Sequence, residues 1–342
     1  MKEQELIDHI QKNPFVLAPM AGITDASFRS FMREMGCGVV VTELVSATGL
    51  KYSSEKTRKL MRFSSDQHPV GIQLFGDNIE HLVEAAQIVE DMGADFVDMN
   101  FGCPVPKVVK KGAGSAALKD LVGTASLLRA IKNKIQIPLT IKIRTGWDAQ
   151  SINAIDVVKM AAEEGVTWVA IHGRTRSQGY SGKADWDFIK EVKSQSQIPI
   201  IGNGDLTSAP LAVERLVESQ CDAVMIGRGC LKNPWIFQQC MQRKRASDAN
   251  MPEMERDFLQ VFQVLREHLE RNLEPKKVLL QSKKLSAWFS AGYKGSAHFR
   301  KTVFQLSQAE ELFGHIDSYF SQLNHLPQPD TSGEAFLMGG HG

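Results

Sequence analysis

No run of 18 consecutive apolar residues occurs in the 342-residue sequence, which excludes a helix long and apolar enough to cross a bilayer. The opening segment MKEQELIDHIQKN is charged throughout and lacks the apolar centre of a secretory signal, so a soluble, cytoplasmic protein is expected. Cysteine is scarce. The five present (Cys37, Cys103, Cys221, Cys230, Cys240) are odd in number and form no C-x-x-C pair. Neither a disulfide framework nor a zinc ligand set is expected, and a reducing compartment fits. Charge of one sign is also lacking: 40 Lys+Arg against 39 Asp+Glu leave a net +1, so any basic surface must come from local asymmetry.

What is present is a rhythm. Eight short apolar runs end in Gly, Asn, Asp or another polar residue: Phe15–Ala18, Val39–Leu44, Val70–Phe75, Phe96–Asn100, Leu139–Ile143, Trp168–His172, Pro199–Gly202 and Ala223–Gly227. Their shortness and Val/Ile content favour buried parallel strands. Helical periodicity lies between them, at Ile79–Met92, Ile152–Glu164 and Pro210–Ser219, with Thr207 and Ser208 as caps for the last. Eight strand–helix alternations predict an α/β fold, a (β/α)8 TIM barrel over residues 1–245, with a doubly wound open sheet as the second choice. After Trp235 the strand rhythm stops. The stripe Phe258, Val261, Phe262, Leu265, Leu269, then Val278–Phe289 and His298–Phe313, predict a C-terminal all-helical domain over 250–325, followed by a disordered tail over 326–342. From Pro275 through Ala309 there is no acidic residue, whereas Lys276, Lys277, Lys283, Lys284, Lys294, Arg300 and Lys301 supply seven cations. This face suits an anionic partner, RNA foremost, although a solvated basic helix surface would look the same.

In such a barrel the strand C-termini build the active site. The residues there are Pro19-Met20-Ala21-Gly22, Glu43, Gln73, Asn100 with Cys103, Lys142 with Arg144, His172 with Arg174, Asn203-Gly204-Asp205 and Gly227-Arg228-Gly229. The last two clusters follow strands seven and eight, where barrels commonly hold phosphate on backbone N–H groups; tight turns alone would read the same way. Lys142, flanked by Ile141 and Ile143, is a costly buried ammonium with three open roles. It could be a Schiff-base nucleophile, a structural ion pair, or a cation facing the N1/O2 edge of a flavin. Gln73 could meet a flavin's pyrimidine edge through both its donor and its acceptor. Cys103, in an Asn-Phe-Gly-Cys-Pro turn, is either an inert small hydrophobe or a protonated thiol serving as a general acid. Gly112–Ala117 has a G-x-G-x-x-A outline but does not directly follow a strand, so a dinucleotide-binding loop is rejected.

Together, APMAGITDASFR (18–29), VGIQLFG, MNFGCPVPKVVKKGAGSA (99–116), IKIRTGW (141–147), IHGRTRSQGYSG (171–182), IGNGD and MIGRG resemble the tRNA-dihydrouridine synthase family, the bacterial B-type most of all. The resemblance runs in order over about residues 13–245. It implies an FMN-binding barrel, a helical tRNA-binding domain, NAD(P)H as reductant, and reduction of the C5=C6 bond of uridines in tRNA, with the D-loop expected. By motif, Pro19, Met20 and Ala21 would line the flavin, and Gln73 and Lys142 would contact it. His172, Asn203, Gly204, Asp205, Gly227 and Arg228 would hold the ribityl chain and phosphate. Asn100 would meet the uracil, and Cys103 would protonate C5 as the flavin N5 hydride reaches C6. Arg174 and Arg176 match positions associated with RNA contact, and Lys283 and Lys284 would add to it from the helical domain. No metal is implied. One departure stands out. The family's helical motif, roughly Arg-Lys-His before two residues and Trp-Tyr, reads Lys283-Lys284-Leu285-Ser286-Ala287-Trp288-Phe289 here, which bears on tRNA docking rather than on barrel chemistry. The competing expectations are a flavin barrel acting on a free small molecule, a flavin-free Schiff-base lyase using Lys142, and a non-catalytic RNA-binding protein.

Overall fold

A computed structural model describes residues 1–245 and 254–331. Among the described residues, nine short strands form one parallel sheet: β1 (Phe15–Leu17), β2 (Val40–Val41), β3 (Val45–Ser46), β4 (Val70–Phe75), β5 (Phe96–Phe101), β6 (Leu139–Arg144), β7 (Val169–His172), β8 (Ile200–Asn203) and β9 (Ala223–Ile226). The order β1-β9-β8-β7-β6-β5-β4-β2 becomes a ring because Val16 bridges Val39 in parallel and the Leu17 N–H donates to the Val39 carbonyl at 2.9 Å. The protein is therefore a TIM-type barrel with a helical C-terminal region, not an open sheet.

One expected strand is divided. The run Val39–Leu44 stops at Val41 and resumes as β3, and both pieces pair with β4. Thr42 is the reason. Its hydroxyl accepts the Gln73 N–H at 3.0 Å, a bond the ladder would otherwise give to a backbone carbonyl, and the chain then swings out at Glu43.

Strand alternation decides what fills the barrel. Leu17, Ile72, Met99, Ile141 and Ile171 face outward and join the large core beneath the helices. Val16, Val39, Phe96, Trp168, Ile201 and Met225 face inward and form a separate cluster at the base of the barrel. The Phe96 and Trp168 rings meet edge to face at 5.1 Å. Phe96 fits only because Gly71 lies opposite: a Cβ there would fall 2.2 Å from the ring. The helix Glu3–Lys12 closes this end, with Leu6 and Ile10 buried in the same cluster. With apolar side chains filling the base, inward polar side chains are left to the opposite end, the C-terminal mouth.

Among the described residues, four long helices make up the C-terminal region: Phe258–Asn272, Pro275–Phe289, Ser296–Gln305 and Ala309–Phe320. The continuous helix expected over His298–Phe313 is broken at Leu306, whose extended backbone lets Phe299 and Phe320 pack edge-on at 5.4 Å. These helices dock on the barrel helix Ala26–Glu34 through Phe31 and Phe289, 6.4 Å apart, and through His268 Nε2 to Glu34 at 2.8 Å. The two parts thus share one apolar core. Of the tail expected to be disordered over 326–342, residues 326–331 are placed: Thr331 is buried and its carbonyl accepts from Lys232 at 2.9 Å, because Pro329 and Thr331 pack over Gly292. Residues 246–253 and 332–342 lie outside the described residues. Among the described residues no helix is long and apolar enough to cross a membrane.

Candidate active site

Alternation that buries Phe96 and Trp168 at the base carries Gln73 (β4), Asp98 and Asn100 (β5), Thr140, Lys142 and Arg144 (β6), His172 (β7) and Asn203 (β8) to the same inward face nearer the mouth. Register places them side by side: Gln73 pairs with Asp98, Asn100 with Lys142, Arg144 with His172, and His172 with Asn203.

Lys142 is partly accessible at the mouth, and its Nζ donates to Asn203 Oδ1 at 3.1 Å. Asn203 in turn donates to the Met225 carbonyl at 2.7 Å, tying β6, β8 and β9 together. Desolvation, with Arg144 adding to it, pulls the Lys142 ammonium down to about 8, and Asp98 partly opposes this. The His172 imidazole is held well below its ordinary value, first by burial and then by Lys142, Arg144, Arg174 and Arg228. It is neutral at pH 7.

Cys103 is buried beside this array, and burial raises its thiol above the ordinary value, so it is protonated at neutral pH. Its turn is fixed from three sides. Asn100 Oδ1 accepts the Cys103 N–H at 2.8 Å and the Gly102 N–H at 3.2 Å. Arg144 Nε donates to the Gly102 carbonyl at 3.0 Å. The Ser115 hydroxyl donates to the Cys103 carbonyl at 2.9 Å. The Gly112–Ala117 segment, with its dinucleotide-loop outline, thus packs against the cysteine: a Cβ on Gly114 would lie 2.8 Å from the Cys103 carbonyl.

At the other side of the mouth the turns after β8 and β9 meet the end of β1. The position of a Cβ on Gly227 lies 3.6 Å from Ala18 Cβ and 3.7 Å from Met20 Sδ, so Met20 and the last turn are in contact. Pro19 is half-buried, and Ala21 is exposed on the rim. Gly204 (φ +128°) and Asp205 (φ +55°) take consecutive left-handed conformations. Only glycine suits the first, since a Cβ would sit 2.5 Å from Ala184 Cβ. The Arg228 guanidinium lies 4.6 Å from the ring of the exposed Tyr180.

Arg174, Asp205, Asn100 and Gln73 are also bonded within the protein. Arg174 is buried: it donates to Asp205 Oδ2 (2.8 Å) and to the Ser181 and Gly182 carbonyls (3.1 and 2.6 Å), and it meets His172 Nε2 at 3.3 Å. These bonds fold the 174–182 loop onto the mouth. The Asp205 carboxylate also accepts the Ala184 N–H at 2.8 Å, so it locks that loop and leaves only the backbone of residue 205 for an anion. Asn100 bonds Gln73 and the Cys103 turn, which leaves one N–H of its amide. Gln73 accepts from Asn100 through its oxygen (2.8 Å) and donates one N–H to Asp98 (2.6 Å), which leaves a second N–H and a second lone pair for the donor–acceptor pair expected. Arg176 stays on the rim, 4.5 Å from the Trp147 ring that also carries Lys119 Nζ at 3.4 Å. From the helical side Lys284 reaches the Gly22 carbonyl, and Gly22 in turn donates to Glu43. Lys283 lies half-buried on the same helix. Asp98 carried no sequence expectation, although its place two residues before Asn100 in a strand was enough to set it on the same face.

The donor set fits an anionic, phosphate-bearing group such as FMN. Lys142, Arg144, Arg174 and Arg228 all act on one neutral His172, and a glycine-requiring turn lies beside them. Among the described residues no cluster of His, Cys, Asp or Glu could hold a metal ion.

The architecture and the mouth define an α/β barrel protein with its functional groups at the strand C-termini. Solved structures agree on the fold: histamine dehydrogenase from Rhizobium sp. 4-9 superposes with a TM-score of 0.51 at 16% identity over 68% of this chain and 46% of that one. An amine oxidase from Pseudomonas geniculata N1, acting on 6-hydroxypseudooxynicotine, does so at 0.52 and 14% over 67% and 48%. The chain spans about half the length of either. The family model for dihydrouridine synthase (Dus) matches residues 16–324, and the chain belongs to that family. Similar relatives include a probable tRNA-dihydrouridine synthase of Rickettsia bellii, 38% identical over 84% of this chain and 89% of the relative. Another is tRNA-dihydrouridine synthase B of Pseudomonas syringae pv. tomato, 34% identical over 91% and 92%.

Proposed function

We propose that this protein is a tRNA-dihydrouridine synthase that holds FMN in the barrel mouth, takes electrons from NAD(P)H and reduces the C5=C6 bond of uridines in tRNA. The observation that carries this is the meeting, in one mouth, of a cationic array around neutral His172 with a protonated, firmly anchored Cys103 thiol. FMN, when bound, would supply hydride chemistry to C6 of the uridine, with NAD(P)H as the source of electrons.

The chain's own residues account for the rest. Lys142 keeps a positive charge against the cofactor, with Asn203 fixing its Nζ and Asp98 sustaining its protonation. The Gly204–Asp205 backbone, Gly227 and Arg228 receive the phosphate, while Pro19, Met20 and Ala21 line the flavin. Cys103 holds the proton destined for C5, and Asn100 and Ser115 keep the thiol's turn still. A uridine stacked in RNA cannot present C5–C6, so it must leave the stack to enter the mouth. The RNA around it is held through phosphates by Arg176 and Lys119 on the rim and by Lys283 and Lys284 across the junction.

Purified protein is expected to release FMN on denaturation. Cys103→Ala is expected to keep the flavin and NAD(P)H oxidation while forming little dihydrouridine in tRNA from a strain lacking the gene. A flavin-free preparation that cannot be reconstituted, or a Cys103→Ala enzyme working at the normal rate, would refute the assignment.

A further inference from the structure

The Cys103 turn and Gln73 are joined by a chain of hydrogen bonds that ends on Asp98. Thr140 Oγ1 donates to Asp98 Oδ1 at 2.6 Å, and Gln73 Nε2 donates to Asp98 Oδ2 at 2.6 Å. Asn100 Nδ2 donates to Gln73 Oε1 at 2.8 Å, and Asn100 Oδ1 accepts the Gly102 and Cys103 N–H groups. All four side chains are buried.

A side-chain amide can be turned end for end, so its direction follows from its partners. Here the backbone end of the chain is unambiguous. Its two N–H groups donate, and at the other end Asp98 accepts. With the backbone end fixed, Asn100 must turn its oxygen to Cys103, and Gln73 must turn its oxygen to Asn100 and its nitrogen to Asp98. Even a protonated Asp98, which burial favours, could give its proton to the Thr140 hydroxyl and still accept from Gln73.

From this geometry we infer that Asp98 is a positioning residue: its oxygen accepts the last N–H of an amide chain whose direction the turn's own N–H groups set, and so holds the Cys103 turn that carries the thiol. It is buried, and its two oxygens meet Gln73 and Thr140. The inference rests on the proposed role of Cys103 for its catalytic meaning, but not for its structural content.

The test compares Asp98→Leu, which removes the acceptor, with Asp98→Asn, which can still accept from Gln73 through its oxygen while its nitrogen donates to the Thr140 hydroxyl. Two readouts are used. One is the rate at which iodoacetamide alkylates Cys103 in the flavin-free protein, followed by peptide mass mapping. The other is kcat against KM for dihydrouridine formation. Asp98→Leu should loosen the turn and raise Cys103 alkylation at least fivefold. It should lower kcat at least tenfold with KM for tRNA unchanged. Asp98→Asn should bring both measures back to within about threefold of the wild type. If Asp98→Leu does not fold, the exchange pair decides. Gln73→Glu sets two carboxylates against each other and should free the turn. The double variant D98N/Q73E, in which the amide introduced at position 98 donates to the carboxylate introduced at position 73, should restore slow alkylation. Unchanged alkylation in Asp98→Leu, or Asp98→Asn failing as badly, or no restoration in the exchange pair, would overturn the inference. A wild-type protein that makes no dihydrouridine would sink the functional assignment alone, and the alkylation rates would still decide the role of Asp98.

Discussion

Replacing Lys142 by methionine should stabilise the flavin-free protein at neutral pH, even though it removes a side chain at the centre of the site. Burial moves the ammonium from 10.5 to about 8. At about 1.4 kcal/mol for each tenfold change in proton affinity, that corresponds to a cost of about 3 kcal/mol for keeping the charge inside. The sign follows from proton counting. Below pH 8 both the folded and the unfolded chain carry the proton, so the full cost is present. Between about 8 and 10.5 the unfolded chain retains a proton that the folded chain has lost, so stability rises with pH across that window. Above it the cost is gone. Methionine has a similar length and no charge, but it leaves Asn203 Oδ1 without its donor at a cost of about 1 kcal/mol. The net expectation is a gain of about 2 kcal/mol at pH 6.5 that shrinks through pH 8–10. Urea unfolding of both proteins without flavin, followed by far-UV circular dichroism, reads the difference directly. A methionine variant that is less stable at pH 6.5, or a difference independent of pH, would show that Lys142 is not held charged against burial. The proposed use of that cost is to leave an uncompensated cation for an anionic cofactor, so the same variant should bind FMN poorly.

Two other changes separate the parts of the site. Gly204→Ala places a Cβ against Ala184 at a left-handed backbone position, so it should lower thermal stability and release FMN; full flavin occupancy at normal stability would remove the steric argument. Lys283→Ala should weaken tRNA binding and flatten its dependence on salt without touching flavin content, whereas Lys284→Ala, which also frees the Gly22 carbonyl at the rim, should alter both. Equal affinities at several salt concentrations would return these lysines to an ordinary solvated helix face.

The strand positions and the mouth were legible in the chain because buried parallel strands advertise themselves. A Gln between Ile72 and Leu74, or a Lys between Ile141 and Ile143, cannot sit in such a strand without a polar interior to face. The break at Thr42 was not legible. It depends on a hydroxyl meeting the Gln73 amide of another strand, and no local pattern announces that. Arg174 stood among the strand-end residues and matched a position associated with RNA contact; that the loop folds back and bonds its guanidinium depends on Asp205, 31 residues on.

The sequence by itself determined the strand–helix rhythm and the inventory of groups at the strand ends, since apolar runs and the residues that end them are properties of neighbouring residues. The tertiary structure decided what each group can still do. Whether an amide has a donor or an acceptor left depends on partners brought from afar: Gln73 on Asp98 across 25 residues, Lys142 on Asn203 across 61. A buried charge likewise takes its proton affinity from every strand of the ring, so it is settled only once the barrel has closed.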